Sequence, residues 1–135
     1  LYTKIINCGK DQIKEFTMQF FYKEIKMVSQ DHNQATSWRK RTREDGLIDW
    51  RMPAESIYNL VRALSPPYPC AEFKIGDKFI KVPRCSVKLD KYPLNIEPGY
   101  ILERSSSSLL VKVSGKDAVL IEGLEIENEI EGDYL

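Results

Sequence analysis

Apolar side chains recur every three or four positions at the start of the chain. This spacing predicts one apolar face on a helix over residues 2–21, comprising Tyr2, Ile5, Ile6, Ile13, Phe16, Phe20 and Phe21. Gly9 leaves two alternatives open. Either the helix ends there and a second helix starts with Asp11 as its N-cap, or one long helix tolerates the glycine. Both arrangements leave an apolar face, which we expect to dock on a neighbouring domain.

The helical periodicity is lost between Lys23 and Trp38, where polar residues predominate. We interpret this segment as an extended linker. His32 is the only histidine, and no second candidate group lies beside it in the sequence. We therefore interpret His32 as a solvated loop residue and not as a metal ligand or a general base.

Polar, aromatic and turn residues are closely ordered over residues 41–50. Thr42 and Asp45 have the spacing of a helix cap and its partner, and Gly46 can close the resulting turn. We expect this turn to direct Ile48 and Trp50 inward.

A second helix of about twelve residues is predicted after Pro53, because proline is tolerated in the first turn. The prolines within residues 65–69 are expected to end it. The predicted buried face of this helix comprises Ile57, Leu60, Val61 and Leu64.

The rest of the chain alternates between apolar and polar positions, as short strands do. A hairpin is predicted for residues 71–75 and 78–82, joined by Gly76 and Asp77. The serines at 105–108 are interpreted as a hairpin tip because apolar runs flank them. Further strands are predicted at residues 84–89, 100–102, 109–113 and 118–121. The fold class is thus α+β, with an N-terminal helix and linker followed by a helix and a small OB-like β-barrel.

Composition and charge limit the classes of function. The 20 Lys and Arg residues balance 20 Asp and Glu residues, so no global basic field draws the chain to nucleic acid. The three cysteines are far apart, which argues against a disulfide scaffold and a zinc site, and we expect reduced cytoplasmic thiols and no metal. No apolar run is long enough to span a membrane. Local charge is uneven: cations cluster at Arg39, Lys40, Arg41 and Arg43, and acids at Glu122, Glu125, Glu127, Glu129, Glu131 and Asp133.

The central stretch resembles the domain junction of the folate-dependent formyltransferases. The similarity rests on three runs: Arg41-Thr42-x-Glu44-Asp45-Gly46-x-Ile48-Asp49-Trp50, then Pro53-Ala54-Glu55 with residues 57–64, and Pro67-Tyr68-Pro69-x-Ala71. Two positions depart from the family pattern. Cys70 stands where the family commonly has glycine, which implies an altered or strained turn, and Met52 stands where a capping residue is frequent.

The resemblance implies a domain organisation. Residues 1–22 would be the terminal helix of a Rossmann-like catalytic domain, 23–52 a linker, and 53–135 a helix plus the C-terminal OB-like barrel. The catalytic domain of the family binds 10-formyltetrahydrofolate and holds an Asn-His-Asp set, and these residues would precede Leu1. We therefore interpret the chain as a piece of a longer enzyme. This piece is expected to contain no catalytic residue and to be inactive alone.

The resemblance also suggests roles at the edge of the active site. Tyr68 and Phe73 are candidate stacking surfaces for the acceptor, although packing is the plainer interpretation of both. Arg39 and Arg41 are candidate phosphate neighbours, although solvated side chains are the plainer interpretation. Structural roles at the junction are assigned to Asp49, Trp50 and Arg62, with Arg62 expected to bridge carboxylates of the helix and the linker.

Three partners are considered for the chain besides the catalytic domain. The neutral charge, the acidic end and the residue order of the junction favour a nucleotide-linked amino sugar as the acceptor. The first alternative is methionyl-tRNA formylation, with initiator tRNA as the partner. The second is a free-standing OB-like module that binds nucleic acid through interleaved aromatic and basic residues, namely Phe73, Lys74, Lys78, Phe79 and Lys81. The oligomeric state is left open, and a homo-oligomer is compatible with the sequence.

Overall fold

The apolar stripe at the start of the chain folds as one helix. A computed structural model describes residues 1–89, 91–125 and 130–135, in two units, Leu1–Arg39 and Lys40–Leu135. In the first unit, helix α1 spans Tyr2–Phe21 and contains Gly9, so the glycine is tolerated inside a single helix. No residue of α1 is buried, and its apolar stripe stays exposed. A short 3₁₀ turn, His32–Gln34, follows, with the Asn33 N–H donating to Asp31 Oδ1 at 3.0 Å.

The second unit begins with the stretch that carries the family resemblance. A 3₁₀ turn spans Arg43–Gly46, and the Thr42 N–H donates to Asp45 Oδ2 at 2.8 Å, as the spacing of these two residues predicts. Ile48 and Trp50 then point inward and are each 8% exposed. Because the unit starts at Lys40, residues 40–52 pack with the C-terminal part of the chain and are more than a connecting segment.

Helix α2 spans Ala54–Leu64 and starts directly after Pro53. Ala54, Ile57 and Val61 are buried, which confirms the predicted apolar face in outline. Since α2 packs against strands of both sheets described below, this face forms one side of the core.

Within the ranges that the structure describes, six antiparallel strands follow in two sheets. Their bounds are β1 Ala71–Ile75, β2 Lys78–Val82, β3 Arg84–Lys88, β4 Ile101–Arg104, β5 Ser108–Lys112 and β6 Ala118–Glu122. The first sheet is the β1–β2 hairpin, and the second has the order β3-β6-β5-β4. Both strands of the hairpin have the predicted bounds, and the serine run forms the β4–β5 turn, where the Ser105 N–H donates to the Ser108 carbonyl at 2.9 Å.

The described strands do not close into one barrel. The α+β class is confirmed, but β2 and β3 are consecutive in the chain and belong to different sheets. Pro83 lies between them and has no backbone N–H to donate to a continuing ladder. The expected OB-like barrel is therefore not confirmed, and the described strands form two separate antiparallel sheets.

The end of the chain covers the edge of the larger sheet. The Ile101 N–H donates to the Asp133 carbonyl at 2.7 Å, and the Leu135 N–H donates to the Gly99 carbonyl at 3.0 Å. Tyr134 also packs edge-on against Tyr100, with 5.1 Å between the ring centroids. Of the acidic tail, Glu127 and Glu129 lie outside the described residues.

Candidate functional site

A buried carboxylate joins the junction to the hairpin. Arg43 Nε lies 2.6 Å from Glu72 Oε2, and Arg43 Nη2 lies 3.1 Å from Glu72 Oε1, which makes a bidentate ion pair. The side chain of Glu72 is 8% exposed, whereas that of Arg43 is 59% exposed. The hydrogen bonds that Arg43 donates to Glu72 raise the pKa of Arg43, so the guanidinium stays charged. Arg43 therefore neutralises a buried acid and still presents part of its cation to solvent.

Strand pairing places further cations and an aromatic ring beside Arg43. Lys74 pairs with Phe79 and Glu72 pairs with Lys81, so these four side chains share one face of the hairpin. The Arg43 Cζ atom lies 3.9 Å from the centroid of the Phe79 ring, and Lys74 Nζ lies 5.9 Å from the same centroid. We call the surface formed by Arg43, Lys74, Phe79 and Lys81 the basic hairpin face.

A groove of about 910 Å³ adjoins this face. We call it the α2 groove, because its apolar wall comes from the C-terminal half of α2. It is lined by Leu60, Ala63 and Leu64 of α2, by Gly46, Pro69 and Cys70, and by the cations Arg41, Arg43 and Lys81, with Thr42, Asp45 and Glu72 between them. A groove of this size can hold a small organic molecule.

The two aromatic candidates from the sequence lie in different environments. Tyr68 is 53% exposed in the turn after α2, so its role as a stacking surface stays a prediction. Phe73 is 1% exposed and packs against Trp50 with 5.5 Å between the ring centroids. The placement of Phe73 corrects its proposed contact with the acceptor, because a ring inside the core presents no face to a ligand.

The two arginine candidates belong to different units. Arg41 lines the α2 groove, and its Nη1 atom lies 3.4 Å from Asp45 Oδ1. Arg39 is the last residue of the first unit, so its predicted phosphate contact stays a prediction.

The three junction residues make mostly local contacts. Hydrogen bonds from the side chain and the backbone of Arg51 lower the pKa of Asp49 to about 2. Trp50 lies in the core. Arg62 Nη2 donates to Asn59 Oδ1 at 3.0 Å within α2, which corrects the expected bridge to carboxylates. The bidentate contact predicted for Arg62 is made instead by Arg43.

The sequence patterns did not predict that Arg43, Glu72 and Phe79 lie together. The hairpin register could have placed Phe79 beside Lys74 and Lys81 beside Glu72, because Gly76 and Asp77 mark the turn. No local pattern could have paired Arg43 with Glu72, since that contact depends on how the junction packs on β1.

The described residues offer little chemistry of their own. No cluster of His, Cys, Asp and Glu among them could hold a metal ion. Burial raises the pKa of Cys85 to about 11, so its thiol stays protonated and is a poor nucleophile. Within the described ranges, no helix is both long and apolar enough to cross a membrane.

Comparison with known proteins assigns the family. A model described as "Formyl transferase, C-terminal domain" matches residues 40–132. Methionyl-tRNA formyltransferase from Staphylococcus aureus (strain MW2) is 29% identical over 126 residues, which cover 93% of this chain and 40% of that protein. The chain thus spans less than half the length of this relative. Because the family model covers most of the chain and starts where the second unit starts, the chain belongs to the formyltransferase C-terminal domain family.

Proposed function

We propose that this chain is the C-terminal part of a formyltransferase that acts on methionyl-tRNA, and that the basic hairpin face contacts phosphates of the RNA. The similarity to methionyl-tRNA formyltransferase supports the acceptor. The grouping of Arg43, Lys74 and Lys81 around one partly exposed aromatic ring is the observation that carries the RNA contact. Cations arranged in this way bind phosphates and release counterions.

The zero net charge of the chain does not argue against this acceptor. The basic hairpin face lies on β1, β2 and the 3₁₀ turn, whereas the acidic run starts at Glu122, the last residue of β6. Two acids adjoin this face: Arg43 binds Glu72, and Asp77 Oδ1 in the hairpin turn lies 3.7 Å from Lys74 Nζ. The three cations of the face still outnumber these two acids. A phosphate at Lys74 or Lys81 therefore meets a local positive field even though the whole chain is neutral.

The nucleotide-linked amino sugar favoured by the sequence gains no support from the comparisons. The relative with a stated acceptor acts on methionyl-tRNA. The preference for a sugar came from the neutral charge, the acidic end and the residue order of the junction, and a neutral total is compatible with a local basic surface.

Formyl donation belongs to a catalytic domain outside this chain in this proposal. The family resemblance implies 10-formyltetrahydrofolate as the donor. The described residues do not fit its pterin ring, because three polar groups of the α2 groove that could pair with the ring are already engaged: Thr42 Oγ1 donates to Glu44, Asp45 accepts from the Thr42 N–H, and Glu72 binds Arg43. We therefore expect no formyl transfer by this chain alone. The cytoplasmic location of the protein also stays a prediction.

Fluorescence anisotropy with labelled methionyl-tRNA over a salt series tests the proposed RNA contact. The double variant Lys74→Gln/Lys81→Gln should weaken binding and reduce the slope of log K against log salt by about 2, since each phosphate contact contributes about 1. The matched control Lys91→Gln/Lys116→Gln removes two exposed lysines on a different turn and should keep the original slope.

Three results would overturn the proposal. They are the absence of binding at low salt, an equal loss of slope in both double variants, and saturable binding of a nucleotide-linked amino sugar by a chain that does not bind tRNA.

A further inference from the structure

The core buries only part of the apolar stripe of α2. Ile57 and Val61 are 0% and 2% exposed, but Leu60 and Leu64 on the same stripe are only half-buried. Both leucines line the α2 groove, where Ala63 continues their surface. The groove therefore offers a continuous apolar wall whose burial by a ligand is favourable.

The backbone gives the groove a defined floor. A Cβ atom added at Gly46 would lie 3.2 Å from Leu64 Cδ1, which is tighter than an ordinary contact, so the glycine lets the 3₁₀ turn approach α2 without displacing Leu64. The Cys70 N–H donates to the Leu64 carbonyl at 2.8 Å. The close approach at Gly46 and this hydrogen bond define the floor before any ligand binds.

The rim of the groove has unused capacity for an anion. Its two acids are engaged, since Asp45 accepts from Thr42 and Glu72 accepts from Arg43. Arg43 uses two of its five donors on Glu72. In the part of the chain that the structure describes, Lys81 is exposed and makes no side-chain hydrogen bond or ion pair. A negative group at the rim would gain charge-assisted hydrogen bonds.

We propose that the α2 groove binds a small aromatic acid, with a flat apolar body against Leu60 and Leu64 and one carboxylate or phosphate against Lys81 and the free edge of Arg43. The apolar wall favours the aromatic ring of the ligand, and the cations of the rim favour its negative group. The groove volume, about 910 Å³, accommodates two fused rings with their substituent. Arg43 and Lys81 belong to both the groove and the basic hairpin face, whereas Leu60, Ala63 and Leu64 line the groove alone and Lys74 and Phe79 lie outside it. The proposal does not rest on the RNA contact, and variants at the unshared positions distinguish the two sites.

Titration of the ¹⁵N-labelled full chain by NMR tests the site with three probes that share the same naphthalene ring. 2-Naphthoate and 2-naphthyl phosphate distinguish a carboxylate from a phosphate, and 2-naphthalenemethanol lacks charge. We expect at least one anion to cause saturable shifts at the amides of Gly46, Leu64 and Cys70, and to bind at least fivefold more tightly than the alcohol. The bound anion should also slow alkylation of Cys70 by iodoacetamide, measured by peptide mass spectrometry.

Variants separate this site from the basic hairpin face. Ala63→Trp fills the groove from an exposed helix position and removes no charge, so it should abolish anion binding and leave tRNA binding unchanged. Ala63→Glu adds a repelling acid at the same position and should also abolish it. Lys81→Gln should weaken anion binding severalfold, whereas the control Lys116→Gln should not change it.

Several outcomes would overturn the site. They are the absence of saturable shifts with both anions, equal affinity for the uncharged alcohol, shifts confined to the apolar stripe of α1, and unchanged binding by folded Ala63→Trp and Ala63→Glu. Loss of tRNA binding with retained anion binding would instead reject only the RNA contact.

Discussion

Cys70 adopts a backbone conformation that favours glycine, with φ of 75°. A side chain in this left-handed region costs about 1–2 kcal/mol relative to glycine. Cys70→Gly and Cys70→Ala both remove the half-buried thiol, but only the glycine relieves the conformation. We expect the glycine variant to have the higher free energy of unfolding, by about 1 kcal/mol, in urea denaturation followed by circular dichroism.

The comparison between the two Cys70 variants is the control for lost packing. Cys70→Val, with a branched side chain at the same positive φ, should be the least stable of the three variants. Equal stability of the glycine and alanine variants would show that the backbone at residue 70 relaxes without cost.

Asp49 gives the junction a dependence on pH. Its pKa is lowered to about 2 by hydrogen bonds from Arg51, so the folded chain binds this proton more weakly than the unfolded chain does. The stabilisation is present above pH 4 and is lost as the pH falls towards 2. Because the pair is exposed, we expect Asp49→Asn to lower the free energy of unfolding by at most about 1 kcal/mol at pH 7.

Urea denaturation at pH 7, 4 and 2 checks this expectation. The difference between Asp49→Asn and the unchanged chain should shrink between pH 4 and pH 2. Asp77→Asn is the control, because its ion pair with Lys74 is longer, at 3.7 Å, and fully exposed. A difference that stays constant down to pH 2 would contradict the role of Arg51.

At the scale of elements, the β5–β6 turn depends on a buried cation. Lys112 is 1% exposed, and its ammonium group donates to the carbonyls of Val113 and Gly115. Burial lowers the pKa of Lys112, which reflects the cost of holding this charge away from water. Lys112→Met should therefore remove that cost but leave two turn carbonyls without their donor.

We expect the loss of these hydrogen bonds to dominate. Lys112→Met should lower the free energy of unfolding by about 1–3 kcal/mol, measured in urea, because the carbonyl of buried Val113 would lose its partner, whereas water can reach that of exposed Gly115. Lys116→Met on the exposed part of the turn is the control and should change it little. An increase in stability on Lys112→Met would show that desolvation of the ammonium group is the larger effect.

The pairing of the C-terminal segment with β4 protects a sheet edge. Arg104 donates to the carbonyls of Ile130 and Gly132 at 2.7 Å and 2.6 Å, in addition to the backbone contacts of Asp133 and Leu135. Removal of residues 130–135 should lower the melting temperature and increase self-association, since an uncovered strand edge pairs with other chains. Analytical ultracentrifugation and thermal denaturation measure both effects. A monomer of unchanged melting temperature would contradict this role.

The elements could be predicted largely from local patterns, but their assembly could not. The hairpin has the predicted bounds because alternation and the Gly76-Asp77 turn are local signals. The order β3-β6-β5-β4 and the separation into two sheets depend on contacts distant in sequence. For the same reason the ion pair of Arg43 with Glu72 could not be predicted from the charge cluster that contains Arg43.

At the scale of the whole molecule, the summed charge does not describe the local charge of a surface. The net charge is zero, yet the cations Arg43, Lys74 and Lys81 lie together at the β1–β2 hairpin. Phe73 shows the same limit for aromatic residues, since alternation along β1 indicates which face a side chain occupies but not which face meets a ligand. The basic hairpin face and the burial of Phe73 could both be recognised only from the packed β1–β2 hairpin.

The second unit holds a core of its own, so we expect it to fold alone. The core residues all lie between Ile48 and Leu135, and α1 contributes no buried residue. A chain of residues 40–135 should therefore have the same urea midpoint as the full chain, within error, and keep the salt-dependent binding of tRNA proposed for the basic hairpin face. Chemical denaturation followed by the fluorescence of Trp50, with Trp38→Phe in the full chain for comparison, measures this. A midpoint lower by more than about 0.5 M would mean that α1 stabilises the second unit by roughly 1 kcal/mol, and its exposed stripe would then need a different explanation from docking on a catalytic domain.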